Sequence, residues 1–301
     1  MGFSADLLTG KVGIVTGAGS PYGIGRSLVL SLAQAGTAAV YATDLTLTNI
    51  PSLQQEVKDA GSSCQVHGAL LDVSSEEQTI AVLKDILATH GRLDFYFANA
   101  GFGGYKSLQD TNTSYYDFSI SVLQRSFFLA IKYGGQATST TSETKTQPGG
   151  SIIVTSSMAA VTGSASDISY STAKAAVVGM IKPASVQLAA SHTRVNAISP
   201  GLVRTSLNLT SGPAISGAAS DKQISANDAQ QAFDNTLGKF ASSKYYHSRI
   251  PEPIEIANIG VFLASDLSAS VNAQNIVADN GKSVAAFGES LIGTVEPMRP
   301  L

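Results

Sequence analysis

An apolar, β-branched run, VGIVT (12–16), opens directly into a glycine-rich turn and then a helical stretch, and short apolar runs keep alternating with longer amphipathic segments to about residue 200. A parallel sheet requires this rhythm, because each strand must be carried back to the starting edge by a crossover. The pattern therefore predicts a doubly wound α/β fold. The strand candidates are VGIVT (12–16), AAVYATD (38–44), QVHGALLDV (65–73), LDFYFANAG (93–101), SIIVTSS (151–157), RVNAISP (194–200) and QNIVADN (274–280). Helical candidates lie near 24–35, 51–60, 75–90, 114–137 and 168–190; the last two are the longest and most apolar, which predicts subunit contacts. Seven strands imply two halves around one sheet, and 301 residues fit a single domain, 1–301.

Two stretches break the rhythm. TSTTSETKTQPGG (138–150) has no apolar period and reads as a surface loop. The segment 202–250 is too long for a plain connection and reads as a substrate-binding lid, while 282–301 forms a C-terminal extension without assignable chemistry. No repeat of 20–50 residues occurs. With 44% hydrophobic and 14% charged residues the chain can bury a large core, and a net charge of -3 without a Lys/Arg cluster argues against nucleic acid as a partner. No apolar run reaches the roughly 18 residues of a membrane span, and the first residues have neither a secretory signal nor a myristoylation pattern. Cys64 is the one cysteine, so no intramolecular disulfide forms, and the expected location is the cytoplasm. On a strand-like stretch such a thiol reads as a small buried apolar residue.

The turn after the first strand reads Thr16-Gly17-Ala18-Gly19-Ser20-Pro21-Tyr22-Gly23-Ile24-Gly25. Glycines let a backbone turn tightly against a pyrophosphate, and the helix that follows presents N–H groups and a positive dipole end. Asp44 stands at the end of the second strand, 19 residues after Gly25, where a carboxylate accepts hydrogen bonds from ribose hydroxyls and repels a 2′-phosphate. Tyr22, and not a cation, precedes Gly23, although Arg26 lies close. These residues favour NAD(H) and leave NADP(H) as the alternative.

Tyr170-Ser171-Thr172-Ala173-Lys174 places a phenol and an ammonium at i and i+4, on one helical face. A nearby ammonium favours phenolate, so the phenol can exchange a proton with a substrate oxygen. Ser156-Ser157, at the end of the fifth strand, offers a hydroxyl to the same oxygen.

With these motifs in this order, residues 8–281 resemble the short-chain dehydrogenase/reductase family: the turn at 16–25, Asp72-Val73, Asn99-Ala100-Gly101, Ser157, Tyr170 with Lys174, and Ser199-Pro200-Gly201. The resemblance implies a Rossmann-type, seven-stranded parallel sheet, NAD(P)(H), a small-molecule substrate and a homodimer or homotetramer. It also implies roles. Ser157 polarises the substrate oxygen and Tyr170 exchanges its proton; Lys174 binds the nicotinamide ribose and lowers the Tyr170 pKa. Gly17, Gly19, Ser20, Tyr22, Gly23, Ile24 and Gly25 hold the pyrophosphate, and Asp72 and Val73 contact the adenine. Asn99, Ala100 and Gly101 line the cleft, and Pro200, Gly201 and Val203 lie beside the nicotinamide.

The sequence departs from the family in three places. Five residues separate Gly17 from Gly23 where the family has three, Ala98 precedes Asn99 where another Asn is common, and Leu123 stands where a catalytic Asn is usual. Leucine has no donor or acceptor for the water that the family Asn helps to hold. The leading expectation is an oxidoreductase for an apolar secondary alcohol or ketone, with Phe102 and Tyr105 near the substrate and a resemblance to reductases of microbial secondary metabolism. The competing expectation, motivated by Leu123, is a cofactor-binding relative with a non-redox, scaffold or sensor role. A hydrolase using Ser157 lacks the Gly-x-Ser-x-Gly elbow, and His67, His90, His192 and His247 have no metal-ligand spacing.

Overall fold

A computed structural model of the chain describes residues 6–104, 106–163, 166–207 and 249–284. Tyr105, His247, and most of the segments expected to form a lid and a C-terminal extension lie outside them.

Seven strands form one parallel sheet in the order β3-β2-β1-β4-β5-β6-β7, which is the doubly wound arrangement the alternation predicts. They are β1 (Val12–Thr16), β2 (Ala39–Asp44), β3 (Gln65–Leu70), β4 (Phe95–Ala98), β5 (Gly150–Thr155), β6 (Thr193–Pro200) and β7 (Asn275–Ala278). The helices are α1 (Ile24–Gln34), α2 (Ile50–Asp59), α3 (Glu76–His90), α4 (Thr113–Ile120), α5 (Ser126–Thr138), α6 (Ile168–Gln187) and α7 (Pro253–Ala264). Local chemistry sets their ends. Ser75 accepts a hydrogen bond from the Gln78 amide to start α3, with Glu76 and Glu77 against the dipole, and left-handed Gly91 (φ 69°) stops it.

Both faces of the sheet are covered. Val15, Phe95 and Phe97 pack under α1 and α7, whereas Ile14, Tyr96 and Val154 pack under α5 and α6, as period-2 alternation requires in a strand buried on both sides. Gly260 lets α7 approach closely, since a Cβ there would lie 2.5 Å from Leu28 and 2.9 Å from Phe97.

Several boundaries differ from the sequence reading. β3 and β4 stop at Leu70 and Ala98, because Asp72 turns back to accept from the Ser74 amide (2.9 Å) and Asn99 leaves the ladder to bond Thr16. The helix expected over 114–137 is two helices joined by a π-turn, Ser121–Arg125. α7 is absent from the sequence-based expectation; its composition is apolar nearly all round, so amphipathic periodicity is weak, although Pro253 in the first turn and the Glu252/Glu255 capping box mark its start. The 138–150 segment is not wholly at the surface: Lys145 is buried and donates to the carbonyls of Leu93 and Thr138, each at 2.6 Å. His67 and His90, distant in sequence, meet with ring centroids 5.4 Å apart around Tyr41. Among the described residues no cluster of three or more His, Cys, Asp or Glu could hold a metal ion, and no helix is long and apolar enough to cross a membrane.

Candidate active site

The carboxyl ends of β1, β2 and β4 meet the start of α1, and there the chain approaches itself as closely as glycine allows. Gly17 has φ +71°, and a Cβ on it would lie 2.8 Å from the Ala100 Cα. A Cβ on Gly25 would lie 2.1 Å from the Gly17 carbonyl oxygen, so the turn and the first turn of α1 are pressed together. Gly23 caps α1 without a side-chain hydrogen bond, so its first amides point into the turn with no capping oxygen of their own. That cradle fits a pyrophosphate. A small cleft beside it is lined by Thr16, Val73, Ala98, Ala100 and Phe127, bringing together residues from three of the expected motifs.

Asp44 closes the nucleotide end. Its Oδ2 accepts from the Gly19 amide (2.8 Å) and its Oδ1 from the Leu45 amide (2.8 Å). Burial pushes its pKa up, and the Gly19 bond offsets part of that. Arg26 is committed elsewhere: it is buried and forks onto Glu56 of α2 at 2.8 and 3.2 Å. Asp72 holds Ser74 through both the amide and the hydroxyl. Ser20 shares a hydrogen bond with Ser206 (2.7 Å), whose amide donates to the Tyr22 carbonyl (2.9 Å), so the enlarged turn carries the segment after β6. Gly201 packs against Asp279, where a Cβ would lie 2.8 Å from its Cα, and Val203 puts its side chain in the core.

Asn99 acts as a tie across the sheet. Its amide donates to the Thr16 hydroxyl (2.9 Å), its side chain donates to the Thr16 carbonyl (3.1 Å), and its Oδ1 accepts from Thr155 (3.2 Å). Thr16 entered the sequence reading only as the first residue of the turn, and Thr155 was not among the expected site residues; a hydroxyl at the last position of a buried strand is the signal that could have found it.

At the other end stands α6. Ser156 turns inward and donates to the Lys174 carbonyl (2.9 Å), while half-buried Ser157 faces the opposite way and accepts from the Ala159 amide (3.1 Å). Lys174 is 3% exposed; its ammonium donates to the Thr155 carbonyl (2.7 Å) and lies 4.4 Å from the Phe127 ring centroid and 5.8 Å from that of Tyr170. Burial drives its pKa down to about 7. Leu123, in the π-turn, is fully buried among Phe102, Tyr115 and Ala173, with Tyr170 packed against the group. Its Cδ2 would be 3.1 Å from a Cβ on Gly101, the same point that is 3.9 Å from the Lys174 ammonium.

The helix begins at Asp167, whose Oδ1 accepts from the amide of Tyr170 itself (2.8 Å) and whose Oδ2 accepts from the Tyr115 hydroxyl (2.8 Å) and the Lys106 amide (3.1 Å). Sequence reasoning missed Asp167 and Tyr115. An Asp three residues before Tyr170, at a helix start, is a legible cap, but its partners on α4 and in the loop after β4 are not.

A fold of this order, with a glycine cradle at β1 and a Tyr/Lys pair on α6, defines a dinucleotide-dependent enzyme of the doubly wound class. A family model described as enoyl-(acyl carrier protein) reductase matches residues 17–283. The chain is 29% identical over 278 residues to the 3-oxoacyl-(acyl-carrier-protein) reductase of Thermotoga maritima, covering 91% of this chain and 98% of that one. It is 31% identical over 278 residues to a (+)-cis,trans-nepetalactol synthase of Nepeta racemosa, covering 91% and 94%. The crystal structure of levodione reductase superposes with a TM-score of 0.76 at 26% identity, covering 92% and 99%. The chain belongs to the short-chain dehydrogenase/reductase family and is an NAD(P)-dependent oxidoreductase.

Proposed function

We propose that the chain interconverts an apolar secondary alcohol and its ketone, with NAD(H) preferred over NADP(H) and with Ser157, Tyr170 and Lys174 as the catalytic residues. The observation that carries this reading is the Lys174 ammonium, withdrawn from water one helical turn from Tyr170. In its protonated form, about half populated near pH 7, the Lys174 cation acts strongly on its neighbour in a low-dielectric site, so it favours phenolate at Tyr170 and fits the phenol to pass a proton. Ser157 orients the substrate oxygen, and Tyr170 gives that oxygen a proton in reduction or takes it in oxidation. The nicotinamide supplies or accepts the hydride. Asp44 selects the cofactor: its carboxylate lies where a 2′-phosphate would be repelled, and Arg26, paired with Glu56, is not available to attract one.

Phe102 and exposed Phe118, stacked 5.3 Å apart, together with exposed Val161 and Ile168, both shortly before Tyr170 in sequence, support an apolar substrate. The relative named for nepetalactol supports a place in secondary metabolism. The reading also includes a cytoplasmic homodimer or homotetramer, supported by the exposed apolar Phe128 of α5 and Val186 of α6. Titration of the purified protein with NADH and NADPH by fluorescence, followed by a panel of hydrophobic ketones monitored at the nicotinamide absorbance, tests the reading. NADH should bind about tenfold tighter than NADPH or better, a difference of about 1.4 kcal/mol, and turnover should vanish in Tyr170→Phe. Tighter NADPH binding overturns the role of Asp44, and turnover that survives Tyr170→Phe overturns the acid/base assignment.

A further inference from the structure

An ordinary helix cap sits in water and satisfies one or two amides of its own helix. Asp167 does more. It is 7% exposed and its two carboxylate oxygens take three donors from three parts of the chain: the Tyr170 amide of α6, the Tyr115 hydroxyl of α4 and the Lys106 amide of the loop after β4. The same loop is stitched to it a second time, since the Gly104 carbonyl accepts from the Asp167 amide (3.3 Å) and the Ser166 hydroxyl (2.6 Å). Gly104 makes the approach feasible, because a Cβ there would lie 2.6 Å from the carboxylate oxygens. Tyr115 is itself buried, with its pKa pushed up to about 12 by burial first and by Asp167 next, so it stays protonated and donates.

We propose that Asp167 is the positioning residue of the catalytic helix, tying Tyr170 to α4 and to the loop after β4 so that the phenol and the wall bearing Phe102 move as one body. This rests on the reading of Tyr170 as the acid/base residue. Of the titratable groups around Tyr170, Lys174 on its own helix lies 5.8 Å from the ring centroid and Tyr115 from α4 packs in the same group, while Asp167 holds the Tyr170 amide and Lys106 from the loop lies over the Tyr115 ring at 4.3 Å. Because the carboxylate is buried, its charge is little screened by water and should also act on the phenol electrostatically.

The test compares Asp167→Asn and Tyr115→Phe in the full-length protein with NAD⁺ bound. The tyrosinate absorbance of Tyr170 is isolated as the difference from matched Tyr170→Phe chains, which is necessary among ten tyrosines. Removing the negative charge in Asp167→Asn should lower the Tyr170 pKa by about one unit, the size expected for charges about 10 Å apart in an effective dielectric near 20. Tyr115→Phe keeps the cap and the charge but removes the donor that partly neutralises it, so the Tyr170 pKa should rise. Both should lower kcat about tenfold on a ketone that the wild type reduces, with NADH affinity within twofold. Opposite shifts support the proposal. A fall in Tm with the Tyr170 titration and kcat unmoved overturns it and leaves Asp167 a cap only. A Tyr170→Phe chain that still turns over overturns the reading of the site instead, and the titration shifts then still decide whether Asp167 acts on Tyr170.

Discussion

The glycine turn after β1 and the start of α6 each hold polar groups at the carboxyl edge of the sheet, and they do so by opposite means. The turn works by subtraction: Gly17 and Gly25 remove side chains so that backbone can meet backbone, and Gly23 leaves the start of α1 without a side-chain cap. The start of α6 works by addition, with Asp167, Tyr115, Ser156 and Thr155 each contributing a bond across long sequence separations. Subtraction leaves a mark in a ten-residue window; addition leaves single residues scattered over the chain. The first kind of site is therefore read from sequence, and the second is found in the fold.

Three substitutions sharpen that contrast. The largest effect is expected at the additive end, from Lys174→Met. Turnover should fall roughly 10²–10⁴-fold, the usual range for removing acid/base assistance, while the fold gains. The Lys174 pKa drops to about 7 in the native state against an ordinary value of 10.5, so between those values the unfolded chain binds a proton that the folded chain does not. Stability of the cofactor-free wild type should therefore rise as pH climbs from about 7 toward 10.5 and carry the full burial penalty below 7. Lys174→Met should melt higher at pH 7 and lose that slope, which thermal melts from pH 6.5 to pH 9 would show. An unchanged slope would mean that Lys174 is not the titrating group.

At the subtractive end, Gly25→Ala drives a methyl into the Gly17 carbonyl and must part the turn from α1. NADH affinity should weaken about a hundredfold, about 2.8 kcal/mol, because the amides of the cradle are displaced, with little change in the Tyr170 titration. Affinity within threefold would show that the turn can yield. The smallest effect is expected from Leu123→Asn. The leucine is fully buried in an apolar group, so an amide there should lower stability by about 1–3 kcal/mol, yet beside Lys174 it restores a group able to hold a relay water, and kcat should rise. Denaturant melts and steady-state rates check the two halves; a stable variant with no gain in rate would remove proton relay as the limit on turnover.

The legibility of this chain follows the same division. All seven strands were readable because each is a short apolar run between turn residues, and the cradle, Asp44 and the Tyr170/Lys174 pair were readable as local spacings. α7 was not, because burial on α1 leaves it apolar without a polar stripe. Nor was the π-turn at Leu123, which depends on how α4 and α5 pack, or the commitment of Arg26, which is decided by Glu56 thirty residues away. The pairing of Ser20 with Ser206 spans 186 residues and has no local trace.

Cys64 is buried just before β3, which lies at the margin of the sheet and among the described residues pairs with β2 alone, and burial lifts its thiol pKa to about 12. With no other thiol in the chain, alkylation of the native protein can report one event, the transient peeling of that margin. The labelling rate is thus a built-in clock for the strand beside Asp44, and it needs no engineered probe.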